Sequence, residues 1–332
     1  MKRSALTQFA GPVVALLLIA AVVAVTTPSF LATANFSNIA LQVAVLSIVA
    51  MGATVVILTG GIDLSPGSMI AYLTMVLAVM VKVQGQSLWL AIPAAIALGG
   101  LLGLVNGILV AYVRIPAFIV TLAGLSAFKG IALTVGGGTP IFSLSPDLGQ
   151  IFYGELLGVP LPFYYVVVLY GLGTLVLNHT KFGREIYAVG GNESAARLSG
   201  IHVSRVRLLA FVIAGACAGI GAVLLAARLN SGSPNYGTLI ELQAIAGAVV
   251  GGASLAGGRG HVLNTLVGVL IIVIVQNGLN LNAVSTSVQS ITIGLIILLA
   301  VGVDIWRERI TLVLVERFGQ RHQPLAHKEI AQ

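Results

Sequence analysis

The sequence has few charged residues and a single cysteine. Charged residues make up 8% of its 332 residues, whereas a soluble globular domain carries about 25%. A chain with so little charge cannot cover itself with a polar surface in water. The one cysteine, Cys217, excludes an internal disulfide framework and a metal site built from several thiolates. Its neighbours, Ala216 and Ala218, predict a buried packing residue.

Motifs for nucleotide, metal and nucleophilic chemistry are also missing. The glycine-rich stretch 251–260 resembles a phosphate-binding loop, but Gly257 is followed by Gly258 and Arg259 where such a loop needs Lys and then Ser or Thr. The five histidines show no metal-like spacing, and no Ser/His/Asp set can be assembled from the spacing. We therefore predict that the chain is not an enzyme and binds neither a metal nor a nucleotide itself.

Long apolar runs dominate what is present. Hydrophobic residues make up 58% of the chain, and crossing a bilayer as a helix takes about 20 apolar residues. Ten runs approach this length and predict an all-α integral membrane protein with about ten transmembrane helices. They are 9–26, 38–59, 66–82, 88–111, 115–135, 162–178, 208–228, 242–256, 262–280 and 288–305. The run 242–256 is short and rich in glycine, and only the Gly60-Gly61 turn separates the second run from the third.

The basic residues predict an orientation in the membrane. With the N-terminus in the cytoplasm and ten spans, 14 of the 17 Lys and Arg residues fall on the cytoplasmic side, as the positive-inside rule requires. They are Lys2, Arg3, Arg114, Lys181, Arg184, Arg197, Arg205, Arg207, Arg259, Arg307, Arg309, Arg317, Arg321 and Lys328. The loop 136–161 on the other side has Asp147 and Glu155 but no Lys or Arg. We expect both termini in the cytoplasm, and we do not expect a nucleic-acid partner.

One membrane domain, 1–305, and a basic cytoplasmic tail, 306–332, account for the whole chain. The first run leaves an alternative open, because Lys2 and Arg3, an apolar stretch and the small residues 32–34 imitate a signal peptide. The stretch is long for a signal and many spans follow it, which favours a first transmembrane helix.

Two pairs of similar short segments in the sequence suggest an inverted repeat. The tetrapeptide 61–64 (GIDL) follows the second run, and 239–242 (LIEL) follows the seventh. The pairs Asn106-Gly107 and Asn277-Gly278 are similarly separated. In the predicted topology the second and seventh runs cross the membrane in opposite directions, which is how many transporters are built.

The most polar internal loop, 179–207, contains a short helix with both ends marked. Asn192 is a good N-cap, Glu193 suits the positive first turn, Arg197 lies toward the negative end, and Gly200 can terminate the helix. Two turns are too short to be stable alone. The helix must therefore pack on its own bundle or on a partner.

Four stretches carry a recognisable pattern. They are 57–68 (ILTGGIDLSPGS), 115–122 (IPAFIVTL), 182–201 (FGREIYAVGGNESAARLSGI) and 241–260. In sequence, order and spacing they resemble the ribose/xylose/arabinose-type permeases of bacterial ABC importers. One departure is Pro66, which is well tolerated at the first position of a helix.

The resemblance implies a fold similar to the ten-span, vitamin B12-type (type II) importer permeases of the bacterial inner membrane. Two such subunits, two copies or two related chains, line one pore. A periplasmic binding protein delivers a monosaccharide, a ribose-like pentose or a related sugar. A cytoplasmic ATPase supplies the energy from ATP and Mg²⁺, while this chain binds no cofactor.

The segment 182–201 resembles the loop that couples the permeases of this family to their ATPase. We expect small side chains at Ala195, Ala196 and Ser199 to seat in a groove of the ATPase, with Leu198 as apolar anchor. Gly190 and Gly191 would allow a sharp turn into the helix. The coupling candidates are Gly183, Arg184, Gly190, Gly191, Asn192, Ala195, Ala196, Arg197, Leu198 and Gly200.

Polar residues in or near the spans either line the sugar path or bond helices to one another. The candidates are Asp63, Asn106, Glu241, Gln276, Asn277 and Asn280. The alternative function is an ion-coupled secondary transporter of a small polar solute, which would keep charged residues inside its spans. The sequence offers few of these: Asp63 and Glu241 near span ends, and Lys129 in the fifth span.

Overall fold

The computed structural model describes residues 2–319, and the side chains of residues 10–302 within that range. This part of the chain forms thirteen α-helices. They are α1 (Lys2–Thr26), α2 (Thr33–Leu58), α3 (Pro66–Ala78), α4 (Leu88–Ala111), α5 (Ala117–Val135), α6 (Pro146–Tyr153), α7 (Leu161–His179), α8 (Lys181–Gly191), α9 (Glu193–Leu198), α10 (Val203–Leu229), α11 (Ile240–Val250), α12 (Val262–Leu281) and α13 (Thr286–Gly319).

Short irregular and extended elements complete the fold. A 3₁₀ turn covers Pro28–Leu31, and a π-helical turn, Val79–Val83, continues α3. Strand β1 (Ile141–Phe142) pairs antiparallel with β4 (Ser231–Gly232). Strand β2 (Glu155–Leu156) pairs antiparallel with β3 (Val159–Pro160).

Seven helices in the described part of the chain are long and apolar enough to cross a membrane. They are α2, α3 with its π-helical turn, α4, α5, α7, α10 and α12. Three shorter apolar helical segments, Ala10–Thr26, Ile240–Val250 and Thr286–Gly302, fall on the remaining predicted runs.

Two of the sequence-based boundaries are wrong. Helix α11 ends at Val250, so residues 251–256 of the predicted run 242–256 are not helical, and Gly252 there adopts φ +94°. The connection between α2 and α3 is a seven-residue non-helical segment, 59–65, rather than a two-glycine turn.

The expected basic tail is not separate from the last helix where the structure describes it. Helix α13 continues through residue 306 to Gly319. Residues 320–332 of that predicted tail lie outside the described residues.

Helix α2 lies at the centre of the bundle. Every side chain from Val43 to Leu58 is buried, against α7, α10, α11 and α12. A helix that is apolar on all sides has to be enclosed by protein or lipid, and here neighbouring helices surround it.

Glycines bring α4 and α10 into close contact. A Cβ on Gly99 would lie 2.5 Å from the carbonyl oxygen of Gly215, and one on Gly219 would lie 2.8 Å from the Cα of Ile96. A Cβ on Gly103 would overlap the carbonyl oxygen of Phe211. Gly99 and Gly103 on α4, like Gly215 and Gly219 on α10, are spaced four residues apart and pack the two helices together, as small residues do in membranes.

The connections gather at two ends of the bundle. At one end, termed the basic end (59–61, 112–116, 179–202 and 251–261), Gly258 N donates to Leu58 O over 3.0 Å and Tyr187 Oη donates to Gly260 O over 2.9 Å. At the opposite end, β1 and β4 join the loops after α5 and α10. The acidic loop 136–161 therefore lies at the end away from 179–202.

Candidate functional site

The loop 179–207 folds into two consecutive helices. Thr180 caps α8 by accepting from Gly183 N at 3.2 Å, and Asn192 caps α9 by accepting from Ala195 N at 2.9 Å. Gly200 follows α9 with φ +81°. The predicted capped helix is confirmed. Helix α8 was missed, although Thr180 ahead of an amphipathic stretch was an available signal.

Helix α9 presents most of its surface away from the bundle. Leu198 is 91% exposed, and Ala195 and Ser199 are also exposed. Ala196 is buried in the core cluster that contains Val203. The expectation that Ala196 offers its side chain to a partner is wrong, because the helical period turns this one position inward.

Glycine serves close packing in α8 rather than a turn. Gly190 and Gly191 form the last residues of α8, and neither has positive φ. A Cβ on Gly190 would overlap Leu58 O and lie 2.5 Å from Gly258 N, whereas a Cβ on Gly191 would meet nothing within 4 Å. A Cβ on Gly183 would similarly overlap Leu177 O. The predicted sharp turn at Gly190 and Gly191 is therefore wrong.

An ion-pair network ties α9 to α10. Glu193 accepts from Arg197 Nη2 at 2.8 Å and from Arg207 Nη2 at 2.7 Å. Partial burial raises the pKa of Glu193, but the hydrogen bonds and charges of the two arginines outweigh it and hold this pKa below its usual value. Arg207 lies on another helix, so no local sequence pattern indicates its role.

A cavity of about 490 Å³ opens beside this network at the basic end. It is bounded by α9, α10 and the connection between α4 and α5. Arg114, Arg197 and Arg207 line it together with a single acid, Glu193. Its charge is therefore net positive.

The structure brings two of the six path candidates together. Asp63 Oδ1 accepts from Ser65 N at 2.9 Å and from Ser65 Oγ at 2.6 Å. Asn106 Nδ2 donates to the same hydroxyl at 3.0 Å. Asp63 Oδ2 is buried with no hydrogen-bond partner among the described residues. The network holds the segment 59–65 against α4.

Two further candidates bond helices to each other. Asn277 exchanges reciprocal amide hydrogen bonds with Asn35, at 2.9 and 2.8 Å, which joins α12 to α2. Asn280 Oδ1 accepts from Gln289 Nε2 at 2.8 Å and joins α12 to α13. These contacts correspond to the helix-bonding interpretation of polar residues.

The last two candidates line cavities. Gln276 faces a space of about 210 Å³ together with Gln42, Arg228 and Gln243. Glu241, in the first turn of α11, faces a space of about 170 Å³. This second cavity also has Lys129 and Ser68 in its lining. Among the residues the structure describes, no cluster of three His, Cys, Asp or Glu side chains could hold a metal ion.

Comparison with known proteins identifies the family to which this chain is similar. Residues 35–301 match the family model described as branched-chain amino acid transport system / permease component. The ribose import permease protein of Escherichia coli (strain K12) is 42% identical over 88% of this chain and 92% of its own length. That of Bacillus subtilis (strain 168) is 41% identical over 90% and 92%.

Permeases named for other sugars are similar as well. The xylose transport system permease protein of Escherichia coli (strain K12) is 36% identical over 86% of this chain and 90% of its own length. No solved structure matches the chain. Both the matched family model and the near full-length relatives describe membrane permease components, so this chain belongs to that permease family, whose model carries the branched-chain amino acid transport system description.

Proposed function

We propose that this chain is the membrane-spanning subunit of an ABC importer in the bacterial inner membrane that takes up a monosaccharide. The observation that carries the proposal is 42% identity to a ribose import permease over nearly the full length of both chains. A periplasmic binding protein delivers the sugar, and a partner ATPase hydrolyses ATP with Mg²⁺. The second permease subunit is a copy of this chain or a related chain.

The proposed topology has ten spans, with the basic end in the cytoplasm. Seven long helices and three shorter apolar segments supply the spans. The grouping of 179–202 with 251–261 at one end, and of 136–161 with the loop after α10 at the other, supports this arrangement. In the suggested inverted repeat, α2 and α3 correspond to α10 and α11. Helix α3 packs on α10, and α11 packs on α2. These two contacts are equivalent under the repeat and support an inverted repeat of the type II importer fold.

The proposed coupling surface is the exposed face of α9 with the adjacent part of α8. Leu198 projects as an apolar anchor, and Ala195 and Ser199 allow close approach to a groove on the ATPase. Arg184 stays exposed on α8, where acidic residues of the ATPase or lipid phosphates can pair with it. Gly183 and Gly190 contribute by fixing α8 to the bundle.

The proposed sugar path uses the candidates that face open space, Glu241 and Gln276. Asp63, Asn106, Asn277 and Asn280 remain path predictions. Because they form hydrogen bonds within the bundle, we assign them the role of positioning the helices around the path. Single alanine substitutions that leave uptake rate and sugar preference unchanged at all six positions would contradict this assignment.

Reconstitution tests the proposed function. The permease is placed in liposomes with its partner ATPase and binding protein, and uptake of labelled D-ribose, D-xylose and D-allose is measured. We expect uptake of at least one of these sugars that needs both ATP and the binding protein and persists when ionophores collapse ion gradients. Uptake driven by an ion gradient without ATP would establish the secondary-transporter alternative instead.

A further inference from the structure

Two non-helical segments enter the bundle from opposite ends. Segment 59–65 leaves the basic end and reaches Ser65, which contacts Asn106 on α4. Asn106 lies five residues before the end of α4, roughly 8 Å along the helix axis. In a membrane, non-helical backbone at such depth is tolerated only where protein buries it or where it lines a water-filled cavity.

The loop 230–239 comes from the opposite end. Gly232 lies against Thr74 of α3, and Gly237 lies against Gly67 at the start of that helix. The loop therefore follows α3 inward for about seven residues, roughly 10 Å of helix. Helix α11 then begins beside the first turn of α3, and a Cβ on Gly67 would overlap Glu241 Oε2.

The cavity of about 170 Å³ lies where α3, α5, the loop 230–239 and the start of α11 converge. Glu241 is 8% exposed, and its carboxylate accepts a hydrogen bond from its own backbone N–H. Lys129 Nζ donates to Pro234 O and to Asn235 Oδ1. An ammonium group has three N–H donors, so one of them remains for a ligand.

The hydroxyl groups in the lining offer acceptors. Ser68 Oγ donates to Ser65 O at 2.9 Å, and Thr238 Oγ1 donates to Asn235 O at 3.0 Å. Because each hydroxyl has used its proton, its lone pairs remain for a ligand. With Glu241, the side chains of the lining therefore present several acceptors and a donor, Lys129.

This pattern selects a ligand that carries several O–H donors and at least one acceptor. A metal or organic cation would satisfy the acceptors, but the ammonium of Lys129 opposes its charge. An anion is opposed by Glu241 in the same way. A neutral polyhydroxyl compound meets both requirements, since each hydroxyl donates one hydrogen bond and accepts others.

We propose that this cavity, lined by Ser68, Lys129, Thr238 and Glu241, is a transient binding site for the transported monosaccharide. The inference rests on the proposed function and adds to it a place in the path where sugar hydroxyls are recognised. Glu241 and Lys129 set the preference between sugars that differ in the position of one hydroxyl group.

The test uses the complete transporter in liposomes, with the permease as Glu241→Gln or Lys129→Met and Glu155→Gln as the matched control. Glu155 is an exposed acid in β2, away from the cavity. Two quantities are measured: sugar imported per ATP hydrolysed, and the ratio of D-ribose to D-xylose uptake. Where Glu241→Gln does not insert, Ser68→Ala takes its place.

We expect the cavity variants to import about tenfold less sugar per ATP, the effect of losing one charged hydrogen bond, and to change the uptake ratio at least threefold. ATP hydrolysis stimulated by the loaded binding protein should stay within twofold of wild type, and Glu155→Gln should match wild type throughout. An unchanged ratio in the cavity variants overturns the inference, whether or not the amount of transporter falls. An unchanged ratio does not affect the proposed function as long as the wild-type transporter shows ATP-dependent import. If the wild-type transporter imports none of the three sugars, both the proposed function and this inference are contradicted.

Discussion

At the scale of the residue, glycines at close contacts between two backbone segments have the clearest physical role. Gly190 lies between Leu58 O and Gly258 N, so α8, the end of α2 and the segment 251–261 touch at one point. A Cβ on its neighbour Gly191 would meet nothing within 4 Å. Adjacent glycines thus have different physical roles although the sequence shows them as a pair.

Gly190→Ala is expected to destabilise the permease. The added methyl group would overlap backbone atoms that cannot move aside as a flexible side chain would, and such overpacking costs about 1–3 kcal/mol. The thermal unfolding midpoint in detergent and the amount of inserted protein should both fall. Gly191→Ala is the matched control and should behave as wild type, and equal effects of the two substitutions would contradict the close-packing role.

Glu193 should make a pH-dependent contribution to stability. Its pKa is lower in the folded protein than its usual value of 4.5, so it stabilises the fold above about pH 4.5, and the stabilisation disappears as pH falls through the folded-state pKa. The Glu193 side chain is 38% exposed, which limits the effect to below about 1 kcal/mol.

The corresponding measurement compares wild type with Glu193→Gln between pH 7 and pH 3. Wild type should unfold at the higher temperature from pH 7 down to about pH 5, and the two midpoints should converge below pH 4.5. Glu155→Gln controls for the general loss of an acid at the surface. A difference that persists undiminished at pH 3 would rule out the ion pairs as its source.

At the scale of elements, α9 combines strong local stabilisation of the helix with an exposed outer face. Its caps and the pair between Glu193 and Arg197 are local, whereas its attachment to the bundle depends on Ala196 and Arg207. The two-turn helix is therefore rigidly mounted, with Leu198 left outside. A rigid mount is what a helix needs to transmit movement from a partner into α10.

Leu198→Glu should detach the partner ATPase from the membrane or uncouple ATP hydrolysis from uptake. A charge at the centre of an apolar contact opposes burial unless it is paired. Leu157→Glu is the matched control, since Leu157 is also 91% exposed but lies in the hairpin at the opposite end. Sedimentation of the ATPase with membranes and uptake assays measure the effect, and full retention of both in Leu198→Glu would move the coupling surface elsewhere.

At the scale of the whole molecule, the two ends differ in charge and in structure. The basic end has Arg114, Arg197 and Arg207 around one cavity. The opposite end has α6, the hairpin of β2 and β3, and the pairing of β1 with β4. In the proposed orientation the first end meets the ATPase and the second meets the binding protein.

Cysteine labelling tests this orientation. On a Cys217→Ala background, Gly158→Cys and Ser194→Cys should react with a membrane-impermeant reagent from opposite sides, Gly158 from outside. Gly158 has open space around it, Ser194 is exposed, and Cys217 is buried, so the two introduced thiols are accessible. Labelling of both from outside intact cells would contradict the topology.

The sequence by itself determined the membrane character, the positions of most spans and the capped helix at 192–200. These features depend on local properties: apolar runs of sufficient length and end-capping residues within four positions of each other. The family also follows from the sequence, because its four motifs lie along the chain in a fixed order. The four-residue spacing of the glycines in α4 and α10 is likewise a local pattern that is visible in the sequence.

Only the tertiary structure decided which polar residues face a cavity and which bond to a neighbouring helix. Asn277 and Gln276 are adjacent in sequence, yet one pairs with Asn35 and the other faces open space. The inward position of Ala196 and the meeting of Gly67 with Glu241 likewise depend on contacts between distant segments. Such contacts are set by how helices pack in three dimensions, and no window of consecutive residues contains them.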